Sequence, residues 1–380
     1  MFDYVFCCMP EKAQKALRSP NANLEYVRRM QENLTKEKHG YRCSKCGRFI
    51  PAVQLLFRDT AEDGQLYVRL PRKAYRYKKA ADVFCGSHYY AKNSNALLKF
   101  EVDAEHNARQ TDAIPIRRDA CYIVLSPDEK YIATETFSGT IDVIDAQTKL
   151  PVARRQRTDT NGAFLFTADH KLMYFFKDAI RCWDFLAEQD TILFPMPELW
   201  LRSDKPGEPL PFSCHGITYH ADEDVYRFVC ATRKKTYVVA IRDGKFAQVV
   251  QLPRTPALSR LIYAEALNQY TFSDGNDVII YDADFRVAEQ FAPPQIVELH
   301  DSEMHPLMRF THCYPSRTFL SPDGKWLLLD YTFGILLMTR ESQEIRFCLA
   351  SMNSMPRRMG FLDNEHFWYT MGDSTYIQPI

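Results

Sequence analysis

The sequence predicts a mainly β protein: a six-bladed β-propeller over residues 95–380, preceded by a small α+β metal-binding module. Three observations predict it. The last three quarters of the chain repeats a pattern of four short strands at a spacing near 41 residues. Turns rich in Pro, Asp and Gly separate these strands. Two pairs of metal-binding residue types precede the repeats. A seventh blade would require strands from before residue 95.

Composition limits the protein class. The chain has 380 residues, 46% hydrophobic and 25% charged, which excludes collagen-like and mostly disordered proteins. No apolar run reaches the roughly 18–20 residues of a membrane helix, and the sequence MFDYVFCCMPEK lacks the basic start of a secretory signal. The cysteine count is 11, so they cannot all pair internally. We therefore expect a cytoplasmic protein with reduced thiols that does not span a membrane.

The overall charge is balanced but unevenly distributed. Residues 1–100 hold 19 Lys and Arg against 9 Asp and Glu, a net charge of +10. The remaining 280 residues hold 29 against 39, a net charge of −10. This asymmetry predicts two parts with different surfaces, residues 1–94 and 95–380.

The first repeat runs from Cys121 to Gln156. An apolar strand ends in the turn Ser126-Pro127-Asp128-Glu129, where Pro presets one dihedral and the Asp side chain can accept a hydrogen bond. Three further strands follow, separated by short turns. The equivalent first-turn positions in the six copies are 126, 167, 220, 264, 321 and 362. Their differences of 41, 53, 44, 57 and 41 predict one blade per copy, with two insertions.

The third strand of three copies ends in a similar way, at Val143-Ile144-Asp145, Cys182-Trp183-Asp184 and Ile280-Tyr281-Asp282. These endings resemble the Trp-Asp ending of WD-repeat blades. The Ser-Pro-Asp-Gly-Lys-Trp turn at 321–326 is similar to turns in WD-repeat and YVTN-type propellers. The resemblance covers about residues 95–380 and implies a propeller, although short, evenly spaced strands also suit an antiparallel sandwich or barrel.

The last copy lacks a fourth strand after Ser374–Ile380. Propellers of this kind are usually closed by a strand from the other end of the repeat region. The alternating segment Asn95–Val102 is the candidate, because it immediately precedes the first copy.

The amino-terminal part carries a different pattern. Residues 21–39 have helical spacing of Leu24, Val27 and Leu34, which predicts a helix within a segment 1–40. Residues 41–94 contain the pairs Cys43-x-x-Cys46 and Cys85-x-x-His88. Two strand-like runs, 52–58 and 65–70, predict a hairpin between the two ligand pairs.

Each pair can direct two soft ligands at one point, as tetrahedral zinc requires. The pattern resembles a zinc-knuckle or treble-clef module. Four ligands favour structural zinc, which uses protein ligands at every position. The sequence therefore predicts a zinc cofactor held by Cys43, Cys46, Cys85 and His88.

A basic and aromatic run lies between the two pairs. Its residues are Arg69, Arg72, Lys73, Tyr75, Arg76, Tyr77, Lys78 and Lys79. Cations can neutralise phosphates and rings can stack on bases, so the run could contact nucleic acid. It could equally be a solvated face, or contact the acidic propeller or a partner protein.

Both insertions, 195–212 and 293–316, connect one blade to the next, so we expect them on the same rim of the central channel. The second is rich in metal-ligating and acid–base residue types, with candidate site residues His300, Asp301, His305 and His312. Their spacing matches no catalytic motif, and a polar interaction loop explains them equally.

The leading prediction is a non-catalytic scaffold with a structural zinc site that binds a partner protein at the insertion-bearing rim. Two alternatives remain: a propeller hydrolase or oxidoreductase that uses the 300–313 loop, and a nucleic-acid-binding protein.

Overall fold

A computed structural model describes most of the chain. The described residues are 34–37, 40–44, 49–51, 56–59, 66–67, 74–103, 107–156, 164–176, 179–195, 213–231, 236–252, 261–273, 277–294, 296–300, 306–309, 314–331, 334–350 and 358–380. None of the helices in these ranges has the length and apolar character needed to cross a membrane.

Strands dominate the described chain. Six short strands come first: β1 (Leu34–Glu37), β2 (Gly40–Cys43), β3 (Phe49–Pro51), β4 (Leu56–Asp59), β5 (Leu66–Tyr67) and β6 (Tyr75–Tyr77). Blade 1 contains β7 (Val83–Cys85), β8 (His88–Asn93), β9 (Ala96–Val102) and β10 (Ala108–Pro115). Blade 2 contains β11 (Ala120–Leu125), β12 (Tyr131–Thr136), β13 (Thr140–Asp145) and β14 (Pro151–Gln156). Blade 3 contains β15 (Phe164–Phe166), β16 (Leu172–Phe176), β17 (Ala179–Asp184) and β18 (Gln189–Pro195).

The remaining blades follow the same plan. Blade 4 contains β19 (Ser213–His220), β20 (Val225–Ala231), β21 (Thr236–Arg242) and β22 (Lys245–Leu252). Blade 5 contains β23 (Ile262–Ala264), the 3-10 helix Glu265–Leu267, β24 (Gln269–Ser273), β25 (Val278–Tyr281) and β26 (Val287–Phe291). The insertion strands are β27 (Ile296–His300) and β28 (Pro306–Arg309). Blade 6 contains β29 (Arg317–Leu320), β30 (Trp326–Tyr331), β31 (Gly334–Thr339) and β32 (Ile345–Ala350), and blade 7 contains β33 (Met359–Phe361), β34 (His366–Met371) and β35 (Ser374–Pro379).

Seven four-stranded antiparallel sheets form the propeller, so the blade count is the alternative of seven that the sequence left open and not the favoured six. The additional sheet is blade 1, which begins at Val83. Its first two strands come from before residue 95, the condition under which the sequence allowed a seventh blade. The sequence did not identify this blade because its first turn, Cys85–His88, has the spacing of a metal-binding pair and lacks the turn residues of the other copies.

The ring closes at a different strand from the one expected. The predicted closing segment, Asn95–Val102, largely forms β9, the third strand of blade 1. The strand that completes blade 7 is β6, where Tyr77 pairs with Thr375 and Tyr75 pairs with Ile377. Burial explains the difference, because Leu97 is fully buried and Leu98 nearly so, which suits an interior strand covered on both faces.

The amino-terminal strands do not form the predicted α+β module in the described residues. A helix was predicted over residues 21–39, but residues 34–37 of that range form strand β1. This strand pairs with β2 in a three-stranded sheet that also contains β3. The predicted hairpin is present as β4 and β5. However, β4 pairs with insertion strand β27, so the two hairpins share one four-stranded sheet.

Neighbouring blades pack through apolar side chains from their central strands. Between blades 2 and 3, for example, Ile141, Tyr174 and Trp183 belong to one buried cluster. The second strands of blades 2 and 3 are buried along their whole length, because each blade is covered by another on both faces. The resulting scaffold fixes the short turns between the first and second strands of the blades.

Candidate functional site

The turn between the first and second strands, here called the first turn, has the same geometry in several blades. A hydroxyl oxygen that ends the first strand accepts a backbone N–H across the turn: Ser126 from Tyr131 at 2.9 Å, Thr167 from Lys171 at 2.8 Å and Ser321 from Trp326 at 2.9 Å. Three residues later, the backbone is left-handed at Glu129, His170 and Gly324. The first strands of a propeller run in the same direction, so the first turns surround one end of the central channel.

Adjacent first turns contact one another around this end. His170 Nε2 lies 2.8 Å from Asp128 Oδ2, which joins blade 3 to blade 2. The backbone N–H of Asp323 donates to Asn364 Oδ1 at 2.9 Å, which joins blade 6 to blade 7. The corresponding contact between blades 1 and 2 involves three residue types that bind metals.

In blade 1, the first turn is Cys85-Gly86-Ser87-His88. Cys85 pairs with His88 across the hairpin, so both residues lie at the same end of their strands. Gly86 has a φ of +57°, a conformation that side chains disfavour. The glycine therefore permits the tight turn that presents Cys85 and His88 together.

Glu129 of blade 2 completes the cluster. One ligand atom from each of Cys85, His88 and Glu129 lies within 4.8 Å of the other two. His88 Nε2 is 2.9 Å from Glu129 Oε1. The His88 and Glu129 side chains are 16% and 27% exposed, so solvent reaches the cluster without surrounding it.

Two further residues orient the Glu129 carboxylate. The Tyr90 hydroxyl donates to Oε2 at 2.8 Å, and Lys99 Nζ donates to the same oxygen at 3.1 Å. Burial acts to raise the pKa of Glu129, but hydrogen bonds from Tyr90, Lys99 and His88 outweigh burial and hold the pKa below its usual value. Glu129 is therefore ionised at neutral pH.

The Cys85 thiol is held in its neutral form. Burial, and then the charge of Glu129, raise its pKa to about 11, although Lys99 acts in the opposite direction. A thiol in this state is a poor nucleophile. A metal ion that bound Cys85 would have to displace this proton, because the thiolate is the form that binds metals.

The structure describes the four predicted zinc ligands unequally. Cys85 and His88 lie together in blade 1. Cys43 is the last residue of β2, and only its backbone is described. Cys46 lies outside the described residues. Glu129 was not predicted, because nothing in a turn sequence shows which residue of the preceding blade it faces.

The basic and aromatic run contributes to ring closure. Tyr77 is 3% exposed and stacks on Tyr89, with ring centroids 5.7 Å apart. Arg76 Nε donates to Ser374 Oγ at 3.1 Å. The Tyr77 ring is thus unavailable to stack on a base. Arg69, Arg72 and Lys73 lie outside the described residues, and the described part of the run continues through Lys78 and Lys79.

The predicted rim site cannot be assembled from the described residues. His300 is the last residue of β27, where it pairs with Pro306 and Leu56. The remaining candidates, Asp301, His305 and His312, lie outside the described residues.

A concavity of about 650 Å³ lies at the first-turn end of blades 5, 6 and 7. Its walls are the first strands β23, β29 and β33, with the 3-10 helix of blade 5. Most lining residues are apolar by type, although backbone and other polar atoms supply nearly half of the exposed surface. The apolar-type residues are Ile262, Tyr263, Ala264, Ala266, Phe319, Leu320, Pro322, Met359, Gly360 and Phe361, and the polar ones are Ser321 and Glu265. The volume is typical of a ligand-binding site.

The concavity adjoins a buried polar network that the sequence did not reveal. His220 occupies the position that Ser126 and Ser321 hold in other blades. Its ring packs on Tyr263, with centroids 4.1 Å apart, and its Nδ1 lies 3.0 Å from Asn268 Oδ1. The sequence signal that could have indicated this network is His220 itself, which stands where Ser126, Thr167 and Ser321 carry a hydroxyl.

Comparison with solved structures supports the architecture. The chain is similar to the Cps50 (Swd1) β-propeller domain of Myceliophteria thermophila, with a TM-score of 0.56 and 9% identity, over 82% of this chain and 99% of that chain. The fold is a seven-bladed β-propeller. The propeller is also similar to hydrazine synthase of Kuenenia stuttgartiensis, with a TM-score of 0.52 and 11% identity, over 78% of this chain and 93% of that chain. No family model and no curated protein matches the sequence.

Proposed function

We propose that the protein is a non-catalytic interaction scaffold that binds an apolar segment of a partner protein at the first-turn end of its channel. This end is opposite the insertion-bearing rim expected from the sequence, because each first strand runs from the preceding connection to its first turn. The observation that carries this proposal is the apolar concavity across blades 5, 6 and 7. Propellers commonly act as interaction modules, but their fold alone does not select this role.

The construction of the concavity suits recognition of a side chain or short segment. Strands from three adjacent blades form its walls, so the surface is preformed and binding requires little reordering. Aromatic and aliphatic residues dominate the lining, which favours an apolar anchor from the partner. The Ser321 hydroxyl already bonds within its turn, to Asp323 Oδ1 at 2.7 Å, which leaves Glu265 to set polarity.

This lining is less suited to catalysis. Among its described residues, the ionisable side chains are Tyr263 and Glu265. The Tyr263 hydroxyl donates to Asn268 Oδ1 at 3.2 Å, and burial raises the pKa of Tyr263 to about 12. A hydrolase or oxidoreductase using residues 300–313 remains an alternative.

We place this scaffold in the cytoplasm. Among the described residues, Cys85, Cys121, Cys182, Cys214 and Cys230 are free thiols. Cys214 and Cys230 are direct partners across β19 and β20, yet no disulfide joins them. Free cysteines in such a position are consistent with a reducing compartment.

An obstructing side chain tests the proposal. Ala266 lines the concavity and is exposed, so Ala266→Arg should fill the space without disturbing the core. Ala187→Arg introduces the same side chain at an exposed turn of blade 3 and is the matched control. Each protein, tagged at its carboxyl end, is expressed in its native cells, cross-linked and quantified with its bound proteins by mass spectrometry.

We expect one or more wild-type partners to fall at least tenfold with Ala266→Arg and to remain with Ala187→Arg. The partner should also bind the purified wild-type protein directly. Equal recovery of every partner by the two variants would contradict the proposed binding site.

A further inference from the structure

We propose that Cys85, His88 and Glu129 bind one Zn²⁺ ion at the junction of blades 1 and 2. Two ligands come from the first turn of blade 1 and the third from the first turn of blade 2. The ion would thus fasten neighbouring blades, in contrast to the zinc of a separate amino-terminal module. This inference is independent of partner binding in the concavity.

The spacing of the donor atoms supports coordination. All three donors lie within 4.8 Å of one another. Zinc bonds of about 2.3 Å to sulfur and about 2.0–2.2 Å to nitrogen or oxygen place tetrahedral ligand atoms roughly 3–4 Å apart. Displacements of the donor atoms by about 1–2 Å, which side-chain rotation can supply, would therefore bring all three within bonding distance of one ion.

The surrounding residues preorganise the carboxylate ligand. Tyr90 and Lys99 both donate to Glu129 Oε2, and His88 Nε2 lies beside both carboxylate oxygens, 2.9 Å from Oε1 and 3.0 Å from Oε2. Oε1 accepts neither the Tyr90 nor the Lys99 hydrogen bond, so a metal ion could bind this oxygen while both contacts to Oε2 remain. Such outer hydrogen bonds fix metal-ligating carboxylates in position.

The donor set favours zinc over a hard cation. Thiolate and imidazole are preferred by zinc and other late transition metals, whereas Ca²⁺ and Mg²⁺ select oxygen ligands. The thiolate and carboxylate would offset the two charges of the ion, and Lys99 would leave the site with a modest positive charge. The partial exposure of His88 and Glu129 provides an entry path and room for water as a fourth ligand.

The role of Glu129 as a ligand distinguishes this site from the zinc knuckle that the sequence predicted. Both sets use Cys85 and His88, but the knuckle adds Cys43 and Cys46. In the site proposed here, Cys43→Ser with Cys46→Ser retains the ion, and Glu129→Gln weakens it. In the knuckle, the outcomes are reversed.

The experiment uses the full chain, stripped of metal and titrated with Zn²⁺ against a chelator of known affinity. Co²⁺ replaces Zn²⁺ in a parallel titration, because a cobalt–thiolate bond gives a strong near-ultraviolet absorption. Asp128→Asn is the matched carboxylate control, since Asp128 neighbours Glu129 but faces His170. Cys121→Ser is the thiol control, because the Cys121 thiol donates to the Glu135 carbonyl in blade 2.

We expect one zinc per chain in the wild type, both controls and the Cys43→Ser/Cys46→Ser variant. Glu129→Gln should weaken zinc binding at least tenfold, and Cys85→Ser should also abolish the cobalt–thiolate absorption. The proposal is overturned if the wild type binds no zinc, if Glu129→Gln binds it as tightly, or if the Cys43→Ser/Cys46→Ser variant loses it. Circular dichroism of each stripped protein separates lost binding from lost folding.

Discussion

His220 is a buried histidine whose surroundings favour the uncharged form. Only 2% of the residue is exposed, and Nδ1 lies 3.0 Å from Asn268 Oδ1. Burial, followed by the nearby charge of Arg227, lowers the pKa of His220 to about 4. Arg227 is also ion-paired with Glu223 at 3.4 Å, so the positive charge beside the imidazole is held in place.

This arrangement predicts an acid-sensitive contribution to stability. The unfolded chain binds a proton at His220 below a pH of about 6.5, whereas the folded chain does so only near pH 4. Stability from neutral His220 is therefore complete above pH 6.5 and decreases as the pH falls toward 4, by about 3 kcal/mol in total. Urea unfolding at successive pH values measures this slope.

The variant His220→Gln isolates the contribution of His220 to the pH dependence of the unfolding free energy, because the carboxylates titrate in both proteins. Glutamine keeps hydrogen-bonding capacity but cannot gain the proton. We expect the wild type to lose more stability than His220→Gln between pH 6.5 and 4. Parallel pH curves for the two proteins would show that His220 does not contribute as described.

Among the secondary-structure elements, the first turns show what the sequence could predict. Ser126, Thr167 and Ser321 were placed correctly, because their hydroxyls act locally on a backbone N–H a few residues away. Contacts between blades were not predictable. Glu129 meets His88 across 41 positions of sequence, and only the ring geometry brings the two together.

The closing strand is the element with the largest sequence separation. The Thr375 hydroxyl, fully buried in β35, accepts from the Ala81 backbone N–H and donates to the Lys79 carbonyl, both at 2.7 Å. Both backbone groups follow β6. The Thr375 side chain thus holds the backbone that immediately follows the closing strand β6.

Replacement of this hydroxyl should destabilise the protein. Thr375→Val preserves shape but leaves the Ala81 N–H and Lys79 carbonyl without their partner, at a cost of about 1–3 kcal/mol. Thr134→Val is the matched control, because Thr134 is equally buried and its hydroxyl has no partner among the described residues. We expect Thr134→Val to be neutral or stabilising in denaturant unfolding. Equal effects would refute the role assigned to Thr375.

For the whole molecule, the repeat predicted the propeller but not the position of its seam. The recurring turns identified six blades, since each copy has its own apolar first strand and polar turn. Blade 1 was missed because Cys85 and His88 occupy its first turn in place of the Ser and Asp found elsewhere. The closing strand was missed because Tyr75–Tyr77 is short and basic, so its sequence favours a nucleic-acid contact over a buried strand.

Ring closure can be tested by two truncations. A chain beginning at residue 74 keeps β6, and one beginning at residue 81 lacks it; both lack β4 and β5. Removal of β6 exposes the edge of β35 and takes buried Tyr77 from the core shared with Tyr89 and Ile377, which should cost roughly 3–5 kcal/mol. We expect the shorter chain to melt at lower temperature and to aggregate in size-exclusion chromatography. Matching behaviour of the two chains would mean that β6 does not close the ring.

The distant pairing of β6 and β35 has a consequence for synthesis. Ala81 and Thr375, which hydrogen-bond beside this junction, are 294 residues apart. At about 5–20 residues per second, a ribosome needs roughly 15–60 s to travel between them. During that interval blades 1–6 can fold in succession, whereas Tyr77 has no partner strand. The nascent chain therefore holds Tyr75–Tyr77 without its partner strand for up to about a minute, and the ring can close only after β35 has been synthesised.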